Sequence, residues 1–150
     1  MKEIHQLFHT VHQLSRELSK QLNIALEPHG LYSAQWTVLY VLKQKGTLTQ
    51  SELCDYLAVE APPMTRMVQR LLKQGYIEQM TGEDKRKKYI RLTAASIQKF
   101  PVWEAAVVEA NERLVESLDE KTARMVQAAL SDWLTFLKED ARNEVGEMQQ

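Results

Sequence analysis

The residues with the most evident chemistry are the cations in the middle of the chain. Between residues 61 and 91, eight Lys and Arg side chains stand against three Asp and Glu, so this segment has a net charge of +5. The rest of the 150 residues carries 11 basic and 17 acidic side chains, a net charge of −6. The overall charge of −1 therefore conceals a cationic segment, which is the charge pattern of a surface that binds a polyanion.

The first half of this segment predicts an amphipathic helix that opens at Pro62 and Pro63 and ends at Gly75. Its apolar residues recur at helical spacing and form one face: Met64, Met67, Val68, Leu71 and Leu72. Its polar residues fall on the opposite side and flanks: Thr65, Arg66, Gln69, Arg70 and Lys73. Arg and Gln pair with guanine and adenine edges, whereas hydroxyl and cationic groups bind phosphates. We expect base contacts from Arg66 and Gln69, and phosphate contacts from the other three.

The second half of the segment predicts a β-hairpin, with short strands over residues 76–80 and 89–92. The loop between the strands is polar and carries Asp84, Lys85, Arg86, Lys87 and Lys88. A cationic loop of this kind can enter a minor groove or lie along phosphates. The alternative is that a basic helix and a basic hairpin are both simply solvated and bind no ligand.

A long first helix is predicted over residues 2–26, because apolar residues recur there at spacings of three and four. This narrow seam consists of Ile4, Leu7, Val11, Leu14, Leu18, Leu22 and Ala25. The helix would be ~35 Å long. A seam of this length needs a partner surface to cover it.

Four further helices complete a scaffold that is mainly α with a small β-hairpin wing, the winged form of the helix-turn-helix. Their predicted N-terminal signals are Ser33, the Thr49–Glu52 capping box, Thr93, and the Ser117–Glu120 capping box. We expect the helix after Thr93 to bend or break around Phe100 and Pro101, because a proline within a helix removes a backbone hydrogen bond.

Several classes of protein are disfavoured by what the sequence lacks. The single cysteine, Cys54, cannot form an internal disulfide, which suits the cytoplasm. No apolar run approaches the ~18 residues of a membrane span, and the first residues lack the apolar core of a signal peptide. There is no Gly-rich phosphate loop, nucleophile elbow or zinc-protease motif. We therefore expect no enzyme, no cofactor and no membrane partner.

Short motifs in the basic segment resemble those of one known family. Asp84-Lys85-Arg86, followed by Leu92-Thr93, is similar to the Asp-x-Arg wing motif and the Leu-Thr pair of the MarR family of winged-helix transcriptional regulators. Further matches to the family pattern are Leu71, Gly75, Tyr76, Ile77, Ser33–Trp36 and Thr49–Leu53. The resemblance extends along nearly the whole chain. One departure is the start of the basic helix, where Glu60–Met64 replaces a Ser-containing turn.

The resemblance implies a homodimer that binds double-stranded DNA at a pseudo-palindromic operator, most often as a repressor. Arg86 would contact the minor groove, and Asp84 would orient a recognition-helix or wing arginine. The DNA-binding lobe would comprise residues 31–93. Residues 1–30 and 94–145 would form a helical dimerisation platform, followed by a polar tail over residues 146–150.

A small effector, such as an aromatic carboxylate or a phenol, is implied by the same resemblance. The candidate pocket walls are Tyr32, Trp36 and Tyr40, with Arg16 as a partner for a carboxylate. These aromatic residues could equally be plain core. Cys54 is interpreted as an inert thiol, because its acidic neighbours, including Asp55 and Glu60, disfavour the thiolate.

Two alternative functions stay open at this point. The three histidines His5, His9 and His12 lie on one side of the first helix, with a spacing that could serve a metal-responsive regulator. They could also be solvated or lie at an interface. The other alternative is a winged-helix protein-interaction module that does not bind DNA, and a salt titration would separate it from a DNA-binding protein.

Overall fold

The computed structural model of the chain describes residues 2–147 and shows a mainly helical fold with a small antiparallel sheet. In chain order the elements are α1 (Lys2–Leu26), α2 (Ser33–Lys45), β1 (Leu48–Thr49), α3 (Gln50–Leu57), α4 (Ala61–Lys73), β2 (Ile77–Thr81), β3 (Lys88–Leu92), α5 (Ala94–Val115) and α6 (Glu120–Glu147). The predicted fold class is confirmed. The chain divides into two compact units, one ending at Ala110 and the other beginning at Asn111.

The sheet has three strands in the order β1-β3-β2, all antiparallel. The predicted hairpin is β2 and β3, with Glu78 opposite Arg91. Strand β2 is shifted by one residue from its predicted bounds, and β3 begins one residue earlier than predicted. Just before β2, the carbonyl of Tyr76 accepts hydrogen bonds from Thr93 N and Ser96 Oγ. The third strand, β1, has only two residues and was not predicted from the sequence.

The core of the first unit lies between α2, α4 and the sheet. The apolar stripe predicted on α4 faces this core, with Met64, Val68 and Leu71 buried and Met67 half-buried. The other buried apolar side chains include Leu26, Leu31, Val38, Leu39, Leu53, Ile77 and Ile90. Because this stripe is inside, the polar side of α4 must face outward.

The start of α2 differs from its prediction, since Ser33 is the first helical residue and not the N-cap. Two side-chain amides accept hydrogen bonds from backbone N–H groups at this helix end. Asn23 Oδ1 accepts a hydrogen bond from Ser33 N at 2.7 Å, and Gln35 Oε1 accepts one from Tyr32 N at 3.0 Å. These two bonds satisfy the first backbone N–H groups of this helix end.

The predicted caps of α3 and α5 are confirmed. Thr49 Oγ1 accepts a hydrogen bond from Glu52 N at 3.2 Å, and Glu52 Oε2 accepts one from Thr49 N at 2.7 Å, which forms the capping box. These hydrogen bonds lower the pKa of Glu52 below its usual value. At α5, Thr93 Oγ1 accepts a hydrogen bond from Ser96 N at 3.3 Å.

The predicted break in α5 and the predicted cap of α6 are wrong. Helix α5 runs through Pro101 without a break, and Phe100 and Trp103 on either side of the proline are buried in the core. Helix α6 is capped by Asp119 and not by Ser117. Asp119 Oδ1 accepts a hydrogen bond from Thr122 N at 2.9 Å, and its hydrogen bonds with Thr122 lower its pKa.

Helix α6 runs to Glu147, into the segment predicted as a polar tail, and residues 148–150 lie outside the described part of the chain. Within the described residues, no helix combines the length and the apolar character needed to cross a membrane.

Candidate nucleic-acid interface

The polar side of α4 is the first half of the candidate interface. Because the opposite side is packed into the core, the side chains of Arg66, Gln69, Arg70 and Lys73 are exposed and that of Thr65 is half-buried. Pro62 and Pro63 occupy the first turn, and the N-cap residue Glu60 makes no side-chain capping hydrogen bond. The missing Ser-type cap noted in the sequence is therefore not replaced by the Glu60 side chain.

Thr65 differs from the other residues on this side because its hydroxyl already has two partners. Its Oγ1 donates to the carbonyl of Ala61 at 2.9 Å and accepts from Gln50 Nε2 at 2.8 Å. A hydroxyl has a single proton to donate. A phosphate could receive that proton only by displacing the Ala61 carbonyl, so Thr65 primarily links α3 to α4 in this structure.

A surface recess of about 240 Å³ lies beside α4, at the start of α2. Its lining consists of Tyr32, Ala34, Gln35, Pro63, Arg66, Met67 and Arg70. The guanidinium of Arg70 lies 5.5 Å from the centre of the Tyr32 ring, within the range of a cation–π contact. The recess therefore brings together two residues predicted to bind DNA and one predicted to bind an effector.

The loop between β2 and β3 is the second half of the candidate interface. Asp84 Oδ1 accepts hydrogen bonds from Arg86 N at 3.0 Å and from Arg86 Nε at 3.3 Å. The Lys87 N–H closes the turn on the carbonyl of Asp84 at 3.0 Å. The Arg86 side chain is still 92% exposed. Asp84 thus orients the guanidinium of Arg86 and leaves its terminal amino groups accessible to a ligand.

The base of this loop depends on Gly82, which the sequence analysis did not single out. A β-carbon at Gly82 would lie 2.9 Å from Tyr89 Cδ2 and closer still to Tyr89 Cε2. Tyr89 stands opposite Met80 on β2 and Thr49 on β1. The ring therefore rests against the Gly82 backbone where the cationic loop leaves the sheet. The only available signal in the sequence was a glycine in a hairpin loop that precedes an aromatic strand residue.

One cation of the basic segment is paired within the sheet. Arg91 Nε lies 2.6 Å from Glu78 Oε1, across the directly opposed pair of β2 and β3. This ion pair braces the hairpin and partly neutralises Arg91. The cationic character of the hairpin is therefore concentrated in its loop and at the first residue of β3, where Lys85, Lys87 and Lys88 are exposed along with Arg86.

The predicted effector wall does not form a single surface around the recess. Trp36 is buried, with its ring centre 5.0 Å from that of Phe100 and 5.9 Å from that of Tyr40. The recess is lined by Tyr32 but not by Trp36 or Tyr40. Arg16 is exposed on α1. Trp36 is thus a core residue, and Tyr32 lies beside Arg70.

The other two candidate sensing features do not line the recess. His5, His9 and His12 are exposed on α1. The described residues contain no group of three or more His, Cys, Asp or Glu side chains that could hold a metal ion. Cys54 is half-buried. Burial raises the pKa of its thiol, and the charges of Asp55 and Glu60 raise it further, as expected for an unreactive thiol.

Comparison with known proteins identifies the family of this chain. The MarR family pattern matches residues 29–87, from the end of α1 to the wing loop. The uncharacterized HTH-type transcriptional regulator YwoH of Bacillus subtilis (strain 168) is 41% identical over 109 residues, which cover 73% of this chain and 80% of YwoH. The chain belongs to the MarR family.

Other MarR-family proteins agree with this assignment. The multiple antibiotic resistance protein MarR of Escherichia coli (strain K12) is 32% identical over 92 residues, or 61% of this chain and 64% of that protein. A crystal structure of a mutant E. coli MarR complexed with operator DNA superposes with a TM-score of 0.81 at 25% identity, covering 88% of this chain and 96% of that one. The chain is accordingly a DNA-binding MarR-family transcriptional regulator and not an enzyme.

The contact between Gly82 and Tyr89 yields a prediction about the wing. In Gly82→Ala, the new methyl group collides with the Tyr89 ring, so either the ring or the wing loop must move, at a cost of roughly 1–3 kcal/mol. We expect weaker binding to a preferred DNA duplex, measured by fluorescence anisotropy. The double variant Gly82→Ala/Tyr89→Ser removes the ring and should recover most of that affinity. Unchanged binding by Gly82→Ala would show that the close contact between Gly82 and Tyr89 does not affect the position of the wing.

Proposed function

We propose that this MarR-family regulator represses transcription as a homodimer bound to a pseudo-palindromic operator. The observation that carries the proposal is the exposed cationic surface of one lobe, which combines the outer side of α4 with a wing arginine held by Asp84. The likeness to an E. coli MarR mutant complexed with operator DNA supports it. The cytoplasmic location predicted from the sequence belongs to the same proposal.

Each half of the surface has a distinct role in this proposal. The major groove of B-DNA admits an α-helix, so α4 would enter it with Arg66 and Gln69 against base edges. Phosphates would be bound by Arg70 and Lys73, and by Thr65 once its hydroxyl proton leaves the Ala61 carbonyl. The wing would reach the adjacent minor groove or its phosphates with Lys85, Arg86, Lys87 and Lys88, while Asp84 holds Arg86 in place.

Dimerisation would cover apolar surface that a single chain leaves exposed. On α1, four of the seven residues of the predicted seam are exposed, namely Ile4, Leu7, Leu14 and Leu18. On α6, the exposed apolar residues are Met125, Val126, Leu130, Leu134, Phe136 and Leu137. Many exposed apolar side chains along one helix are typical of a protein interface. A twofold partner would bury both faces and present two copies of α4.

The symmetry of such a dimer explains both operator recognition and release. The two recognition helices would enter successive major grooves ~34 Å apart. A small effector that binds more tightly to a conformation with a different spacing would weaken the contacts of both half-sites together. A bound dimer would block transcription from its operator, and an effector would relieve that repression.

The proposed function predicts both the DNA sequence and the stoichiometry of the complex. Selection of bound fragments from a genomic DNA pool should enrich an inverted repeat. Sedimentation analysis should find two chains on each duplex, with a scrambled duplex of equal length as the control. Enrichment of no sequence, or a single chain on one half-site, would contradict the proposal.

The wing assignment predicts a specific loss for Arg86→Ala. If the guanidinium contacts the minor groove, operator binding should weaken by roughly 1–3 kcal/mol. If it also neutralises a phosphate, the slope of log K against log salt should fall by about 0.9. Arg142→Ala removes the same charge from an exposed site on α6 and serves as the matched control. Near-wild-type binding by Arg86→Ala would refute the assignment.

The effector hypothesis is tested by calorimetry with a salicylate-like aromatic carboxylate. Of the predicted wall of Arg16, Tyr32, Trp36 and Tyr40, only Tyr32 lines the recess, where the cations of Arg66 and Arg70 suit such a ligand. We expect saturable binding that Tyr32→Ala weakens, whereas Tyr56→Ala, at an exposed tyrosine of α3, leaves it unchanged. An absence of binding at millimolar ligand would remove this hypothesis.

A further inference from the structure

A buried glutamine connects the start of α2 to the end of the recognition helix. Gln35 is only 2% exposed, yet both ends of its amide have hydrogen-bond partners. Its Oε1 accepts from Tyr32 N at 3.0 Å, and its Nε2 donates to Gln74 Oε1 at 2.7 Å. Gln74 Nε2 then donates to the carbonyl of Gly30 at 3.0 Å. We call this series of three hydrogen bonds the amide chain.

The direction of the amide chain is determined by the backbone groups at its two ends. A backbone N–H can only donate, so the Gln35 oxygen must face Tyr32 and its nitrogen must face Gln74. A backbone carbonyl can only accept, so the Gln74 nitrogen must face Gly30. Both ends belong to the connection between α1 and α2. The amide chain therefore holds the Gln74 side chain against this connection from two sides.

Gln74 is placed so that this attachment acts on the recognition helix itself. It is the C-cap residue of α4, and its backbone N–H donates to the carbonyl of Arg70 at 3.0 Å. Gln35 lines the recess that also contains Arg66 and Arg70. The amide chain thus lies directly behind the exposed cations of α4 and fixes the last turn of that helix relative to α2.

The attachment continues from the connection to α1. Asn23 Oδ1 accepts from Ser33 N at 2.7 Å, next to the residue whose N–H begins the amide chain. Gly30 adopts a left-handed backbone with φ of 69°, which aids the tight turn that places its carbonyl opposite Gln74. Side-chain amides on three helices therefore meet at one short connection.

We propose that Gln35 and Gln74 are positioning residues for DNA recognition. They hold the C-terminal turn of α4 so that Arg66 and Gln69 present their side chains to base edges at the correct angle. The proposal deepens the proposed function and rests on it. Neither glutamine has to touch DNA in this role, and each acts through the orientation of the helix.

The role is tested by Gln74→Met, which keeps the length of the side chain and removes both of its hydrogen bonds. Gln74 is exposed, so this variant should fold. Angular misplacement of α4 impairs base contacts, which need close geometry, more than it impairs phosphate contacts. We expect the preference for the selected operator over a scrambled duplex to fall at least tenfold, with binding to the scrambled duplex nearly unchanged.

A double variant and a matched control variant complete the experiment. Gln35→Met/Gln74→Met should lose no more operator preference than the single variants, because residues in one hydrogen-bonded network are not additive. Gln44→Met makes the same change at an exposed position of α2 and should retain full preference. If Gln35→Met fails to fold, the comparison between Gln74→Met and Gln44→Met still decides the proposal.

The possible results separate this proposal from the function on which it rests. Unchanged operator preference in Gln74→Met would overturn the positioning role. A parallel fall in binding to both duplexes, together with a lower melting temperature by circular dichroism, would also overturn it, because that pattern reflects general loss of structure. A wild-type protein with no operator preference would instead overturn the proposed function.

Discussion

Burial of one apolar stripe on α4 is the constraint on which the rest of the interface depends. Met64, Val68 and Leu71 lie at spacings of three and four residues and are all buried, so the helix has only one rotational setting about its own axis. That setting turns Arg66, Gln69 and Lys73 outward. The cations do not need to be held individually, because the core beneath them determines where they point.

The wing is stabilised differently from α4, because a two-stranded hairpin is at best marginally stable alone. Here a third strand is added through the pairing of Thr49 with Tyr89, and an ion pair joins Glu78 on β2 to Arg91 on β3. The Tyr89 ring lies against Gly82, and Asp84 orients the loop. A polar loop with little core of its own is thereby given a defined direction.

The helix ends show which features can be predicted from residues that are close in sequence. The Thr49 and Thr93 caps follow from sequence because donor and acceptor lie three residues apart. Ser33 looks equally suitable but is the first helical residue, and its backbone N–H donates to Asn23, ten residues away. Pro101 stays within a continuous helix because tertiary packing offsets its local cost.

The sequence by itself determined the helices, the wing, the family and which side of α4 is polar, because each of these follows from periodicity, composition or short motifs. Only the tertiary structure decided what the individual polar groups contact. The Thr65 hydroxyl is engaged by Gln50, Arg70 lies over Tyr32, and Gln35 meets a partner 39 residues away. The physical reason is that a hydrogen bond or ring contact depends on distance in space, and the distances between elements are set by the packing of the whole core rather than by spacing along the chain.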